Sequence, residues 1–210
     1  MTTTQTSTAT VRLPAPPCSG GLSLAEALAK RRSIRDFAGK RLSIDQLAQL
    51  CWAALGITDK TRELRTAPSA GAVYPMRLFV ADADGVYEYL AEDHSLQQYM
   101  RGDKRLALQA AALDQRWVGT APACFVIAFD DALMQVEYGS RATRYCLLEA
   151  GHIAQNILLQ AAALGLGAVP VGAFDDERVG RLLSPSRELH PAYLVPIGYP
   201  APAGLPWRSV

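Results

Sequence analysis

The chain has 210 residues, half of them hydrophobic and a fifth charged, with a formal net charge of +1. This length fits one domain, or a domain with extensions, and the balanced charge gives no reason to expect nucleic acid or an anionic membrane as the main partner. The four cysteines and three histidines have no metal-ligand spacing. Neither a metal site nor a disulfide framework is therefore predicted.

The first twenty residues are rich in Thr, Ser and Pro, and they lack the basic and apolar regions of a secretory signal. We predict a flexible tail over residues 1–20 and a single domain over residues 21–210. The most hydrophobic long stretch, residues 145–164, contains Glu149, His152 and Asn156. A bilayer would not accept these side chains without partners, so the sequence favours a soluble, cytoplasmic protein with no membrane partner.

Two capping boxes open helices in the N-terminal third of the chain. Ser23 is followed by Glu26, and Ser43 is followed by Gln46, each ahead of apolar residues at helical spacing. The second of these helices is expected to end at Gly56. A further helix is predicted from about residue 104 to residue 117.

Short apolar runs predict the strands. Residues 78–81 and 86–89 flank a turn of the sequence Asp-Ala-Asp-Gly, which predicts a β-hairpin. Residues 123–129 and 193–198 are bounded by Pro or Gly and are expected to form central strands. Since regular strand–helix alternation is missing, the order of elements predicts an α+β fold.

A long helix is predicted before residue 165. Apolar residues recur at spacings of three and four from Leu147 to Leu164, and Gly165 or Gly167 supplies the left-handed residue that ends the helix. Four polar residues also share one face of this helix. They mark either a polar seam toward a ligand or partner, or a solvated face: Glu149, His152, Asn156 and Gln160.

The segment after this helix has little side-chain volume. Residues 168–171 are predicted as a short buried strand, with Pro170 at an edge or bend. At Gly172 and Ala173 the backbone N–H groups are free to donate to a ligand atom. The alternative is an ordinary helix-to-strand connection.

A dinucleotide-binding motif is not predicted, because no G-x-G-x-x-G follows a strand.

Two further segments suggest a ligand. Arg31, Arg32, Ser33 and Arg35 bring three guanidinium groups and a hydroxyl into five residues, as a phosphate or another compact anion would require. The alternative is a solvated basic helix end. Residues 68–75 form a small-residue loop bounded by prolines, which lets backbone approach a planar ring. Here the alternative is simply a loop.

Together and in this order, these segments resemble the nitroreductase-like flavoprotein family, and especially its branch of SagB-type dehydrogenases. The resemblance covers roughly residues 22–200. Residues 31–37 (Arg-Arg-Ser-Ile-Arg-Asp-Phe) match the family's Arg-x-Ser-x-Arg/Lys-x-Phe motif, and residues 68–75 resemble the branch's second motif. Residues 149–156 and 165–176 are similar to its long helix and flavin-facing turn.

This resemblance implies a mixed, mostly antiparallel sheet flanked by helices, with the long helix at the interface of a homodimer. It also implies FMN in sites shared between the subunits. Arg31, Arg32 and Ser33 would hold the phosphate and ribityl chain, and Arg35 would approach the pyrimidine edge. The second subunit's loop would cover the ring, and a backbone N–H of Gly172 or Ala173 would donate to flavin N5. The full set of cofactor-binding residues implied is Arg31, Arg32, Ser33, Arg35, Pro68, Ser69, Ala70, Gly71, Gln155, Pro170, Val171, Gly172, Ala173 and Arg208.

The implied activity is a ping-pong reduction, driven by NADH or NADPH, of a small electron-poor acceptor such as a nitroaromatic or a quinone. Tyr74, Trp117 and Tyr138 are candidates for the rim of the site, and Tyr138 is the candidate catalytic side chain.

Oxidation of azoline rings in modified peptides is an alternative within the branch. Its Lys-Tyr pair reads Glu137-Tyr138 here, which argues against it. A third hypothesis is a protein that binds FMN without turnover, and a flavin-degrading enzyme ranks last.

Overall fold

A computed structural model describes residues 9–183 and 189–202. The helices are α1 (Leu24–Lys30), α2 (Ile44–Leu55), α3 (Arg105–Ala111), α4 (Arg116–Thr120), α5 (Ala132–Tyr138), α6 (Ala142–Ala163) and α7 (Asp176–Leu183). The strands are β1 (Thr10–Arg12), β2 (Ile57–Asp59), β3 (Leu64–Arg65), β4 (Met76–Ala81), β5 (Gly85–Leu90), β6 (Ser95–Arg101), β7 (Ala123–Phe129), β8 (Gly167–Ala168) and β9 (His190–Gly198). Short 3₁₀ turns occur at Ala70–Ala72 and Gly139–Arg141.

A seven-stranded sheet in the order β1-β6-β5-β4-β7-β9-β8 forms the centre, and β2 and β3 make a separate hairpin. Every pair of neighbouring strands in the sheet is antiparallel. A parallel bridge joins Ser33 to Ala168 at the β8 edge. The predicted mixed, mostly antiparallel sheet is therefore confirmed.

Helices cover both faces of the sheet. Alternate residues of β4 and β7 point to opposite sides, as the two-residue period of a strand requires. Leu78 and Ile127 pack in the cluster that contains residues of α2 and α6, whereas Phe79 and Val126 pack with residues of α3 and α7. All seven residues of β7 are buried, which explains its continuous apolar sequence. This arrangement confirms the predicted α+β class.

The local signals in the N-terminal half are confirmed. Both capping boxes form, with the hydroxyls of Ser23 and Ser43 accepting from the third residue of α1 and α2. Gly56 is the C-cap of α2. At the predicted hairpin, Asp82 Oδ1 accepts from the N–H groups of Asp84 and Gly85 at 2.8 and 3.1 Å, which fixes the turn.

Three segments differ from the sequence prediction. The helix expected over residues 104–117 is divided into α3 and α4, because Leu113 and Asp114 adopt φ of +55° and +57°. The strand expected over residues 168–171 is β8, at Gly167–Ala168, with a further bridge from Val171 to Leu194. Thr10–Arg12, inside the segment predicted as a tail, pair with β6 at the sheet edge.

The long helix α6 ends as expected at Gly165, which adopts φ of +71°. The Leu166 N–H donates to the Ala161 carbonyl at 2.8 Å, and the Gly165 N–H donates to the Ala162 carbonyl at 3.1 Å. These two bonds form a Schellman motif, which satisfies the last carbonyls and turns the chain into β8. Among the described residues, no helix combines the length and apolar character that crossing a membrane requires.

Candidate functional site

The arginine segment (residues 31–35) lies directly beside β8. The Ile34 N–H donates to the Ala168 carbonyl at 3.1 Å, next to the parallel bridge made by Ser33. A Cβ atom added to Gly167 would lie 2.7 Å from Ile34 Cβ, so only glycine permits this approach. Two segments that are distant in sequence therefore meet at one edge of the sheet.

Arg31 and Arg32, in the arginine segment, carry positive charge that no carboxylate of the described residues pairs with. Arg31 follows the end of α1, and the Arg32 guanidinium donates to the carbonyls of Ala29 and Arg31 at 3.0 and 2.7 Å. Neither Arg31 nor Arg32 forms an ion pair with a described carboxylate. Arg105, in contrast, is paired with Asp103. Unbalanced guanidinium groups at a helix end suit a phosphate or another compact anion.

Arg35 lies against α4. Its guanidinium carbon is 5.4 Å from the centre of the Trp117 ring, within the range of a cation–π interaction. Trp117 is half-buried, and its Nε1 atom is buried with no hydrogen-bond partner among the described residues. The α3–α4 region thus holds one wall of the site in place.

Next to this wall is the glycine turn (residues 172–174). Before it, Val171 and Leu194 exchange hydrogen bonds of 2.8 and 3.0 Å, and after it the Asp175 N–H donates to the Ala111 carbonyl at 2.9 Å. Between these anchors, Gly172 and Ala173 are exposed, and their N–H groups donate to no atom of the described protein. The turn therefore exposes two backbone donors, and it is linked to Arg35 through the α4 region, since Gln115 bonds to Ala173 and Trp117 lies against Arg35.

The cover loop (residues 68–71) packs on the first half of α6. The Ser69 hydroxyl donates to Glu149 Oε2 at 2.6 Å and accepts from the Tyr74 N–H at 3.0 Å. Gly71 has φ of +61°, and its Cα faces the Tyr138 hydroxyl so closely that no Cβ fits between them. Tyr138, the candidate catalytic residue, therefore lies against the cover loop rather than at the glycine turn.

Glu149 is the carboxylate that holds this loop. It is 2% exposed, and burial raises its pKa to about 7, against the lowering effects of the Ser69 hydrogen bond and the Arg65 charge. Its Oε1 atom has no partner among the described residues. The sequence identified Glu149 as part of a polar face but gave no sign of its bond to Ser69.

The rest of that polar face is also used within the chain. Asn156 Nδ2 donates to the Thr66 carbonyl at 3.4 Å, and Gln160 Oε1 accepts from Gln49 Nε2 at 3.2 Å. His152 is exposed. The face is consequently neither a solvated surface nor a row of ligand contacts, because three of its four residues hold α6 to neighbouring elements.

The cover loop and the arginine segment contact different parts of the α6–β8 unit. The loop contacts Glu149, whereas the arginine segment contacts β8, which begins just beyond Leu164. These two helix positions are about 22 Å apart along the axis, at ~1.5 Å per residue. One chain therefore does not bring the two segments together. Gln155 is exposed on the helix between them, and Arg208 is outside the described residues.

Large exposed apolar side chains occur on α5 and α6, the two helices whose Tyr138 and Glu149 contact the cover loop. Leu147 and Leu148 on α6 are 51% and 52% exposed, and Leu133 and Val136 on α5 are more exposed still. We call these four residues the apolar helix surface. Neighbouring apolar side chains of this size on adjacent helices are typical of a surface that another protein covers.

Comparison with known proteins agrees with this arrangement. Residues 28–199 match the model of the Nitroreductase family. A candidate nitroreductase of Methanocaldococcus jannaschii is 38% identical over 183 residues, which cover 84% of this chain and 91% of that protein. A candidate NADH dehydrogenase or NAD(P)H nitroreductase of Methanothermobacter thermautotrophicus is 24% identical, over 86% of this chain and 78% of that protein.

A solved structure shows the same fold. The crystal structure of a candidate nitroreductase from Ralstonia eutropha JMP134 superposes with a TM-score of 0.85 at 29% identity, covering 92% of this chain and 90% of the other. The antiparallel sheet, the flanking helices and the long α6 are thus the nitroreductase fold. From its sequence match and its architecture, the chain belongs to the nitroreductase family of oxidoreductases.

Proposed function

We propose that this protein is an FMN-dependent oxidoreductase that takes hydride from NADH or NADPH and reduces a small electron-poor acceptor, such as a nitroaromatic or a quinone, in a ping-pong cycle. Membership in the family supports the reaction class, and the name of the Methanothermobacter relative supports the reductant. The observation that carries the proposal is that Arg31 and Arg32, which pair with no described carboxylate, belong to a segment bonded to β8, while Arg35 and the glycine turn both contact the α4 region through Trp117 and Gln115.

These features fit FMN, which has an anionic phosphate at one end and a flat ring with hydrogen-bond acceptors at the other. Arg31, Arg32 and Ser33 would bind the phosphate and ribityl chain. Arg35 would lie toward the pyrimidine edge, where a cation stabilises the negative charge of the reduced ring. Gly172, which has no side chain, leaves room for a flat ligand beside the half-buried Pro170.

When bound, FMN would supply the electron chemistry, with N5 as the atom that takes and gives hydride. The protein's contribution is position and electrostatics. The N–H of Gly172 or Ala173 would donate to N5. Water would be excluded by the cover loop, which comprises Pro68, Ser69, Ala70 and Gly71, together with Tyr138, whose hydroxyl lies against Gly71.

The cover loop would come from a second copy of the chain. Because the loop contacts the first half of α6 and the arginine segment contacts β8 beyond the helix's C-terminal end, a two-fold pair of chains with α6 at the interface would bring one chain's loop to the other chain's arginine segment. The apolar helix surface supports such a pair, since its residues are exposed on the two helices that contact the loop and would be buried in the pair. Each homodimer would then hold two shared sites.

An anaerobic absorbance spectrum of the purified protein tests the activity. We expect flavin bands that disappear when NADH or NADPH is added and return when a quinone is added. Flavin bands that neither nicotinamide changes would contradict the reductase and favour azoline oxidation or flavin binding without turnover. A protein without flavin would contradict the cofactor.

The double variant Arg31→Ala with Arg35→Ala tests the cofactor site. We expect it to lose FMN, because about 1.5 to 3 kcal/mol would be lost with each charge-assisted hydrogen bond. Flavin content after gel filtration is the measurement. The matched control is Arg62→Ala with Arg101→Ala, two exposed arginines outside the site. Full flavin retention by the first variant would rule out the assignment.

A further inference from the structure

The glycine turn is held by a side chain from the α3–α4 region. Gln115 Nε2 donates to the Ala173 carbonyl at 2.7 Å and to the Ala112 carbonyl at 2.9 Å. The ends of the turn are anchored separately, through the backbone N–H groups of Val171 and Asp175. Because Gly172 has wide conformational freedom, the Gln115 contact limits the orientations that the middle of the turn can adopt.

The backbone around Gln115 is unusual in a way that serves this contact. Leu113 and Asp114 both adopt the left-handed conformation, which costs energy for residues with a side chain. Gln115 then begins α4 at the N-cap position, but its side chain makes no capping bond. The side chain instead reaches across to the turn, and Trp117, two residues later, contacts Arg35.

We propose that Gln115 is a positioning residue, which fixes the peptide groups of the glycine turn so that the Gly172 or Ala173 N–H points at the flavin. This inference rests on the proposed function. Gln115 touches neither reactant. It acts through the Ala173 carbonyl, whose orientation sets that of the adjoining peptide groups.

The test compares Gln115→Met, which keeps the side-chain length and removes the donor, with Gln115→Lys, which keeps a donor. Gln98→Met is the control, since Gln98 is a half-buried glutamine on β6. The first readout is the backbone amide order parameter at residues 172–174, measured by NMR on the protein as purified. We expect it to fall from about 0.85 to below about 0.6 in Gln115→Met and to stay near the wild-type value in the other two variants.

The second readout is the rate of flavin reduction by NADH. We expect a loss of about fivefold in Gln115→Met at unchanged flavin content, and recovery in Gln115→Lys. An ordered turn and a wild-type rate in Gln115→Met would overturn the inference, as would a turn that is equally mobile in Gln115→Lys. If Gln115→Met does not fold, Gln115→Glu, which sets a carboxylate against the carbonyl, takes its place. If the wild-type protein contains no flavin, the proposed function is contradicted. The order parameters of residues 172–174 would still decide whether Gln115 fixes the turn.

Discussion

Glu149 is a carboxyl group buried where α6 meets the cover loop. Its pKa of about 7 in the folded protein exceeds the ordinary value of 4.5, because burial disfavours the charged form. Between these two pH values the folded protein holds a proton that the unfolded chain has released. The free energy of unfolding therefore decreases as the pH rises through this window, by at most about 1.4 kcal/mol per pH unit, and this contribution is constant above it.

The variant Glu149→Gln removes this titration, while its amide oxygen still accepts from Ser69. As the pH rises from about 5 to about 7, we expect the free energy of unfolding of the variant to increase relative to that of the wild type. Above about pH 7 the difference should stay constant. Urea denaturation at one protein concentration measures it. Glu177→Gln, on the exposed face of α7, is the control. Parallel pH profiles for Glu149→Gln and wild type would show that Glu149 stays ionised.

The break between α3 and α4 predicts opposite responses at two exposed leucines. Leu106 lies in the first turn of α3 and is 70% exposed, whereas Leu113 is 69% exposed with φ of +55°. We expect Leu106→Gly to destabilise the protein by up to about 1 kcal/mol, the cost of glycine in a helix interior. Leu113→Gly should cost nothing or stabilise, since glycine adopts a positive φ freely. Thermal denaturation decides between them, and equal losses would contradict the left-handed backbone at Leu113.

The same break shows where prediction from the sequence stops. Capping boxes and the Asp82 turn were predictable, because each is specified by residues within a few positions. Asp114 is a weak signal, since Asp tolerates a left-handed backbone, but Leu113 gives none, and the apolar spacing predicts one continuous helix. The bond from Ser69 to Glu149 and that from Gln115 to Ala173 also had no local signal, since each depends on how distant elements pack. Only the resemblance to known flavoproteins suggested that the arginine segment and the glycine turn belong together.

For the whole molecule, the apolar helix surface predicts the state of assembly. Leu147→Glu with Leu148→Glu would place two charges in the proposed interface, and burial of unpaired charge is strongly unfavourable. We expect the wild type to have twice the chain mass of 22.6 kDa in light scattering, and the variant to have the single mass and no flavin. Leu106→Glu is the control, because Leu106 lies on the other side of the sheet, and this variant should remain a pair of chains with flavin. A flavin-bound variant of single mass would rule out the shared site.

The separation of the two half-sites along α6 and β8 has a consequence for mixtures of chains. In the proposed pair, each chain gives its arginine segment to one site and its cover loop to the other. A chain with a defective arginine segment and a chain with a defective cover loop are each inactive when paired with themselves. When the two are paired with each other, both defects fall in the same site and the second site is intact. A mixed pair of these two variants would thus have half the activity of a wild-type pair, although each variant paired with itself has none.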